Sequence, residues 1–230
     1  MSSLNQRWNQ IKENVNNHAL HCGRNPHEIT IIGVSKTHPS ETIIEGLESG
    51  ITHFGENYAQ EFRDKFTQIS SLSRYNPTWH FIGHLQTNKV KYIVPSCAYI
   101  HTVDSIRLAE EIGKLSVKNN IITHVLLQIN TSGEASKSGI TPENSYVITD
   151  SVKNIQGIII DGLMCIPTPD DETAIRMEFR QLNQLRQNLI NTFPEHPWKH
   201  LSMGMTSDYQ IAIEEGATMI RIGTALFGQR

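Results

Sequence analysis

A lysine that closes a run of buried-looking residues is the first place to look for chemistry. Ile29-Thr-Ile-Ile-Gly-Val-Ser35 is apolar and β-branched, and Lys36 follows it directly. An amine enclosed at the end of such a run is partly stripped of water. That lowers its pKa and frees it to condense with an aldehyde as a Schiff base. The same position also suits a lysine that reaches solvent, and position alone leaves both open. A second candidate lies far along the chain. Leu201-Ser-Met-Gly-Met-Thr-Ser-Asp208 and Ile220-Arg-Ile-Gly-Thr-Ala225 each set glycine beside hydroxyl side chains. Glycine lets backbone N–H groups approach an anion, and Ser or Thr adds donors. The two segments could therefore hold a phosphate group; ordinary turns with helix caps are the alternative. Arg221 interrupts an apolar run. Buried, its guanidinium needs an acceptor; facing outward, it would join a salt bridge.

The elements that must position these residues follow a regular rhythm. Residues 4–22 place Leu4, Trp8, Ile11, Val15 and His18 at spacings of three and four, one face of a helix. Asn25-Pro26 should end it. Short apolar runs then alternate with helical segments: 29–35, 53–56, 79–83, 99–103, 124–130, 158–166, 200–203 and 219–223. Helices are expected over Ser40–Glu48, with Pro39 before and Gly50 after, from Asn57, from Asp104 or Ser105, and over about Asp171 to Thr192. Eight strands alternating with helices predict an α/β fold, a single closed (β/α)8 barrel with an extra N-terminal helix. Active sites of that architecture lie at the carboxyl ends of the strands, and the loops after the seventh and eighth strands often bind phosphate. An open doubly wound sheet would need a Gly-rich turn after its first strand, and Val34-Ser-Lys-Thr-His-Pro39 is not one. The reading is one domain over residues 1–230, with 1–24 as the added helix packed on the barrel. Residues 131–139, Gly/Ser-rich, read as a working loop rather than a boundary.

Composition narrows the function. Hydrophobic residues are 38% and charged residues 19% of 230, as in ordinary globular chains. The formal net charge of −3 and the lack of a long basic run speak against nucleic acid. Asn88-Lys-Val-Lys91 is a small solvated cluster. No stretch approaches the roughly 20 apolar residues of a membrane span, and the polar N-terminus has no signal-peptide core. Cys22, Cys97 and Cys165 are far apart, which fits reduced thiols in the cytoplasm rather than disulfides or zinc. His80 and His84 could pair on a metal, but a third ligand is not evident, and structural roles are favoured. Asp170-Asp-Glu172 should cap the following helix. Met203 and Met205 read as packing.

With these segments assembled, the chain resembles the pyridoxal phosphate homeostasis family, small proteins related to the N-terminal barrel of alanine racemase. The match rests on Gly33-Val-Ser-Lys-Thr-His-Pro39, His53-Phe-Gly-Glu-Asn-Tyr58, Trp79-His-Phe-Ile-Gly-His-Leu-Gln86 with Asn88-Lys89, and Leu201-Ser-Met-Gly-Met-Thr206 leading to Arg221-Ile-Gly-Thr-Ala-Leu-Phe-Gly228. Asn130–Gly139 and Gly162–Pro167 fit as well, so the likeness runs end to end. It implies pyridoxal 5′-phosphate (PLP) as cofactor, with Lys36 forming the internal aldimine and Asn57 near the ring. Ser202, Thr206, Gly223 and Thr224 would receive the phosphate, Arg221 would face the pyridine nitrogen, and Lys137 would lie on the substrate side. Thr206 stands where serine is common, and Cys165 where a small residue is usual.

PLP enzymes draw electrons into a protonated pyridine ring. An arginine beside that nitrogen repels the proton and weakens the electron sink. The resemblance implies that the racemase compensates with two opposed bases, one a tyrosine from a further C-terminal domain. The sequence ends at Phe227-Gly-Gln-Arg230, directly after the eighth strand, so no such domain is expected. The expectation is a monomeric, cytoplasmic carrier or regulator of PLP without robust catalysis, handing the cofactor to apo PLP-dependent enzymes. A PLP-dependent amino-acid racemase or decarboxylase is the alternative, and a barrel for another phosphorylated metabolite a third reading.

Overall fold

The computed structural model describes residues 3–134, 137–169 and 171–228. Eight strands run β1 (Thr30–Val34), β2 (His53–Glu56), β3 (Thr78–Phe81), β4 (Tyr99–Val103), β5 (Thr123–Gln128), β6 (Ile158–Met164), β7 (His200–Ser202) and β8 (Met219–Ile222). All pair in parallel and in chain order, and β8 closes on β1 through Thr30↔Met219 to Gly33↔Ile222. This is the closed barrel that the alternating pattern predicts.

Helices cover the outside: α1 (Leu4–His21), α2 (Ser40–Glu48), α3 (Ala59–Ser70), α4 (Ile106–Lys118), α5 (Ser145–Val152), α6 (Glu172–Thr192), α7 (Tyr209–Glu214) and α8 (Thr224–Phe227). Between β3 and β4 the connection is a 3-10 turn, Thr87–Tyr92. The caps explain several boundaries. Ser105 accepts from the Leu108 N–H and starts α4. Asp171 accepts from the N–H groups of Thr173 and Ala174 and starts α6; Asp170, expected to share that role, lies outside the described residues. Ser3 and Gln6 form a reciprocal capping box on α1.

The first helix differs in two details from the expectation. Its buried stripe is Leu4, Trp8, Ile11, Val15 and Ala19, and His18 instead meets Glu214 at 3.1 Å. It ends at Cys22, where Gly23 takes φ +70°, while Asn25 caps a separate 3-10 turn over Pro26–Glu28. The stripe packs α1 against α2, α7 and α8. Arg24 Nη1 donates to the carbonyls of Ile213 (2.9 Å) and Ala217 (2.7 Å), tying the end of α1 to the segment that leads into β8.

Strand alternation sorts the core into two parts. Outward residues such as Phe54, Trp79, Phe81, Ile100, Leu201, Ile220 and Ile222 pack under the helices. Inward residues fill the lumen: Ile32, Leu126, Met164 and Met219 form a small apolar group. Other inward positions carry polar side chains, with His80, His101, Ser202 and Arg221 all buried. Cys22, Cys97 and Cys165 are free thiols. Among the described residues no helix is long and apolar enough to cross a membrane.

Candidate functional site

A cavity of about 410 Å³ opens where the carboxyl ends of β1 and β8 meet. Lys36, Asn57, Thr206, Arg221, Gly223 and Thr224 line it, drawn from the ends of four strands. The pairing of Gly33 with Ile222 explains why residues so distant in sequence converge: the turns after β1 and β8 sit side by side.

Lys36 stands one residue beyond Ser35, in a turn that three ionic groups hold. Lys65 Nζ donates to the Ser35 carbonyl (2.7 Å), to Glu56 Oε1 (2.7 Å) and to Glu61 Oε1 (2.6 Å). Ser35 Oγ donates to Glu56 Oε1 at 2.7 Å, and the Thr37 N–H donates to Glu61 Oε1 at 2.5 Å. Thr37 itself takes φ +65°, in the left-handed region that a β-branched residue rarely adopts. The network therefore grips both neighbours of Lys36. Burial pushes the Glu56 carboxyl above its usual range, against the downward pull of Lys65 and Ser35.

Asn57 is carried by the turn after β2. Its backbone lies so close to Gly83 that a Cβ there would stand 2.1 Å from the Asn57 carbonyl oxygen. Its side-chain Oδ1 is buried and has no hydrogen-bond partner in the protein. A buried amide left incomplete at a cavity wall calls for a polar ligand.

The opposite wall is built from hydroxyls and glycine. Gly204, at φ +93°, turns the chain after β7, and a Cβ there would meet the Ala212 Cβ at 2.5 Å. Asp208, buried, accepts from the Met205 N–H at 2.7 Å and from Ser207 Oγ at 3.2 Å, which folds Met205–Ser207 into a turn facing the cavity. Gly223 begins the short turn of α8, whose leading N–H groups have no carbonyl within the turn to receive them. Hydroxyls of Thr206 and Thr224 add donors at this wall, while that of Ser207 is turned to Asp208. Such a set suits an oxyanion group.

Arg221 is 5% exposed and points inward, which removes the outward salt-bridge reading. Its Nη1 donates to Ser202 Oγ at 2.8 Å and its Nη2 to the Cys165 carbonyl at 3.0 Å. Burial lowers its pKa from the ordinary arginine value. Cys165 thus matters through its carbonyl; burial pushes its thiol up to about 12.

Six of the eight residues singled out in the sequence line this cavity, and two do not. Ser202 is fully buried on the inward face of a three-residue strand, and its hydroxyl is shared between His101 and Arg221. Lys137 lies in the loop after β5, bonded to Glu134 at 2.7 Å; Ala135 and Ser136 of that loop lie outside the described residues. His80 and His84 do not form a metal pair, since His80 fills the lumen while His84 is exposed near Asp104. Sequence reasoning missed His38, Ile82 and Ser207 as lining residues and assigned Met205 to packing. It also missed Lys65, although a lysine on the α3 stripe of Phe62 and Ile69 was a signal.

A family model described as the alanine racemase N-terminal domain matches residues 7–230. The pyridoxal phosphate homeostasis protein of Aquifex aeolicus is 40% identical over 229 residues, covering 98% of this chain and 97% of that protein. The solved structure of PipY from Synechococcus elongatus, with PLP bound, aligns with a TM-score of 0.86 at 31% identity over 98% of this chain and 100% of that one. Alanine racemase from Clostridium difficile shares the fold, with a TM-score of 0.73 at 15% identity over 94% of this chain but 58% of its own.

Proposed function

The chain belongs to the pyridoxal phosphate homeostasis protein family, and from that premise we propose that it holds PLP in the β1–β8 cavity and takes part in keeping the cellular supply of that cofactor. One observation carries the assignment to this cavity. Lys36, the hydroxyl-rich turns after β7 and β8, and the buried Arg221 border a single space. An amine, an oxyanion cradle and a cation there match the aldehyde, phosphate and ring nitrogen of one small molecule. The partnerless Asn57 Oδ1 marks the same space as a place for a polar ligand.

In this reading Lys36 Nζ condenses with the aldehyde carbon and releases one water. Thr206, Gly223 and Thr224 hold the phosphate, and Ser207, bonded to Asp208, shapes the turn that carries Thr206. Asn57 fixes one edge of the ring, and Ile82 supplies an apolar surface beside it. Ser202 acts one step back, holding Arg221, and Lys137 serves the loop rather than the cofactor. When bound, PLP supplies an electron sink whose strength depends on a proton at its ring nitrogen. Arg221 would keep that proton away, because a guanidinium, oriented here by its bonds to Ser202 and Cys165, has donors only and its charge repels another. Among the described residues that line the cavity there is neither a carboxylate nor a tyrosine. Both features favour a carrier that stores and releases PLP over a racemase or decarboxylase. An incoming amine would displace Lys36, and apo PLP-dependent enzymes would be the recipients, served by a cytoplasmic monomer.

The test mixes PLP-loaded protein with an apo PLP enzyme and follows recovery of activity. Reactivation by the wild type, and a Lys36→Ala variant that stays colourless and transfers nothing, is the expected result. A wild type that takes up no PLP, or that turns over an amino acid steadily by itself, overturns the proposal.

A further inference from the structure

The lumen holds a polar feature that lies below the cavity. Four hydrogen bonds run in single file from the amino-terminal mouth of the barrel to the cavity floor. His53 Nδ1 is 2.9 Å from His80 Nε2, and His80 Nδ1 is 2.9 Å from His101 Nε2. His101 Nδ1 is 2.8 Å from Ser202 Oγ, which accepts from Arg221 Nη1 at 2.8 Å. His80, His101 and Ser202 are 0% exposed, and His53 is half-buried at the first position of β2.

The polarity of this file follows from its end. A guanidinium has donors only. Ser202 Oγ must therefore accept from Arg221, which leaves its own proton for His101 Nδ1. An imidazole that accepts at Nδ1 carries its proton on Nε2 when neutral. His101 then donates to His80 Nδ1, and His80 donates in turn to His53 Nδ1. Every bond points away from the cavity. A second proton on His80 would set its Nδ1–H against the His101 Nε2–H, and one on His101 would set its Nδ1–H against the Ser202 hydroxyl proton. Burial, aided by His53 and His200 around His80 and by His80, Arg221 and His200 around His101, holds both well below the usual histidine range. Tyr99 stacks on the His80 ring at 5.1 Å and 7°, fixing its plane.

We propose that Ser202, His101, His80 and His53 are positioning residues for Arg221, acting as a one-way hydrogen-bond relay in which each imidazole is the neutral Nε2–H tautomer. The relay commits Nη1 to Ser202, while the Cys165 carbonyl commits Nη2, so the guanidinium presents one fixed orientation to the cavity. Neutral rings also leave Arg221 as the cation at this floor. The consequence for the ligand rests on the reading that PLP occupies the cavity; the tautomers themselves do not.

Nitrogen NMR on histidine-labelled protein without added PLP reads the relay directly. His53, His80 and His101 should each show a protonated Nε2 and an unprotonated Nδ1. A protonated Nδ1 on His80 or His101, meaning that Ser202 accepts twice, overturns the proposal. Ser202→Ala should shift the His101 Nδ1 signal and weaken PLP binding on the order of tenfold, from one lost bond to a charged group. Ser202→Thr, which keeps the hydroxyl, should restore both. Unchanged His101 and His80 signals in Ser202→Ala also overturn the relay. If that variant does not fold, the wild-type spectrum decides alone. Nε2–H tautomers in a protein that takes up no PLP would leave the relay standing and remove the cofactor reading.

Discussion

Replacing Lys65 by methionine isolates the network that holds the Lys36 turn. Lys65 Nζ makes three short bonds, to the Ser35 carbonyl, Glu56 and Glu61, and its side chain is only 6% exposed. Glu56 is 0% exposed, and its Oε2 already lacks a partner. Methionine keeps the volume but leaves a buried carboxylate without its cation. Breaking one side of a buried pair in this way costs about 3–5 kcal/mol. At about 2–4 °C per kcal/mol for a domain of this size, Tm should fall by about 6–20 °C in thermal unfolding followed by circular dichroism. The pH dependence has a definite sign. Burial raises the Glu56 carboxyl even with Lys65 present, and removing Lys65 raises it further. A carboxyl raised in the folded state contributes stability that is fully present below its unfolded pKa of about 4.3 and is lost as pH rises through its folded value. The Lys65→Met penalty should therefore be larger at about pH 8 than at about pH 5. Adding Glu56→Gln removes the buried charge and should recover part of the loss. Because Lys65 and Glu61 also hold Ser35 and Thr37, PLP uptake by Lys65→Met should slow even where the variant is fully folded. A variant as stable as the wild type, or one whose penalty grows toward low pH, refutes this account of the turn.

The other expectations concern the cavity walls. Thr206→Ala and Thr224→Ala each remove one hydroxyl donor from the proposed phosphate cradle, worth about 1.5–3 kcal/mol against a charged group. PLP affinity measured by absorbance titration should fall by about tenfold to a hundredfold in each; full affinity in both would move the phosphate elsewhere. Gly83→Ala sets a methyl 2.1 Å from the Asn57 carbonyl oxygen, so the turn that carries Asn57 must shift. Lower thermal stability together with weaker PLP binding is expected there, and a variant with wild-type affinity would detach Asn57 from the ligand.

How much of this was legible beforehand depended on whether a signal was local. The eight strands were readable because each is a short apolar run closed by turn residues, and the barrel followed from their alternation with helices. Lys36, Thr206, Gly223 and Thr224 were readable because strand ends in this architecture face one mouth, whichever residues occupy them. Ser202, which the resemblance placed at the phosphate, does not line the cavity. His200 and Ser202 share the inward parity of a three-residue strand, so the hydroxyl ends below the cavity rather than at its rim. The relay was invisible for a different reason. His53, His80, His101 and Ser202 belong to four strands, and their adjacency depends on barrel register that no single window of sequence contains. A pattern was nevertheless present. Histidine stands between two large apolar residues in Trp79-His80-Phe81, and His101 follows Ile100 in the same phase. Alternation puts such residues in the lumen, where a buried imidazole must find partners. Together with Arg221 on β8, the inward polar residues form one connected network rather than separate satisfied side chains. A lumen that is polar along one line and apolar around Ile32, Leu126, Met164 and Met219 can pack tightly while still fixing the orientation of a single cation at its upper end.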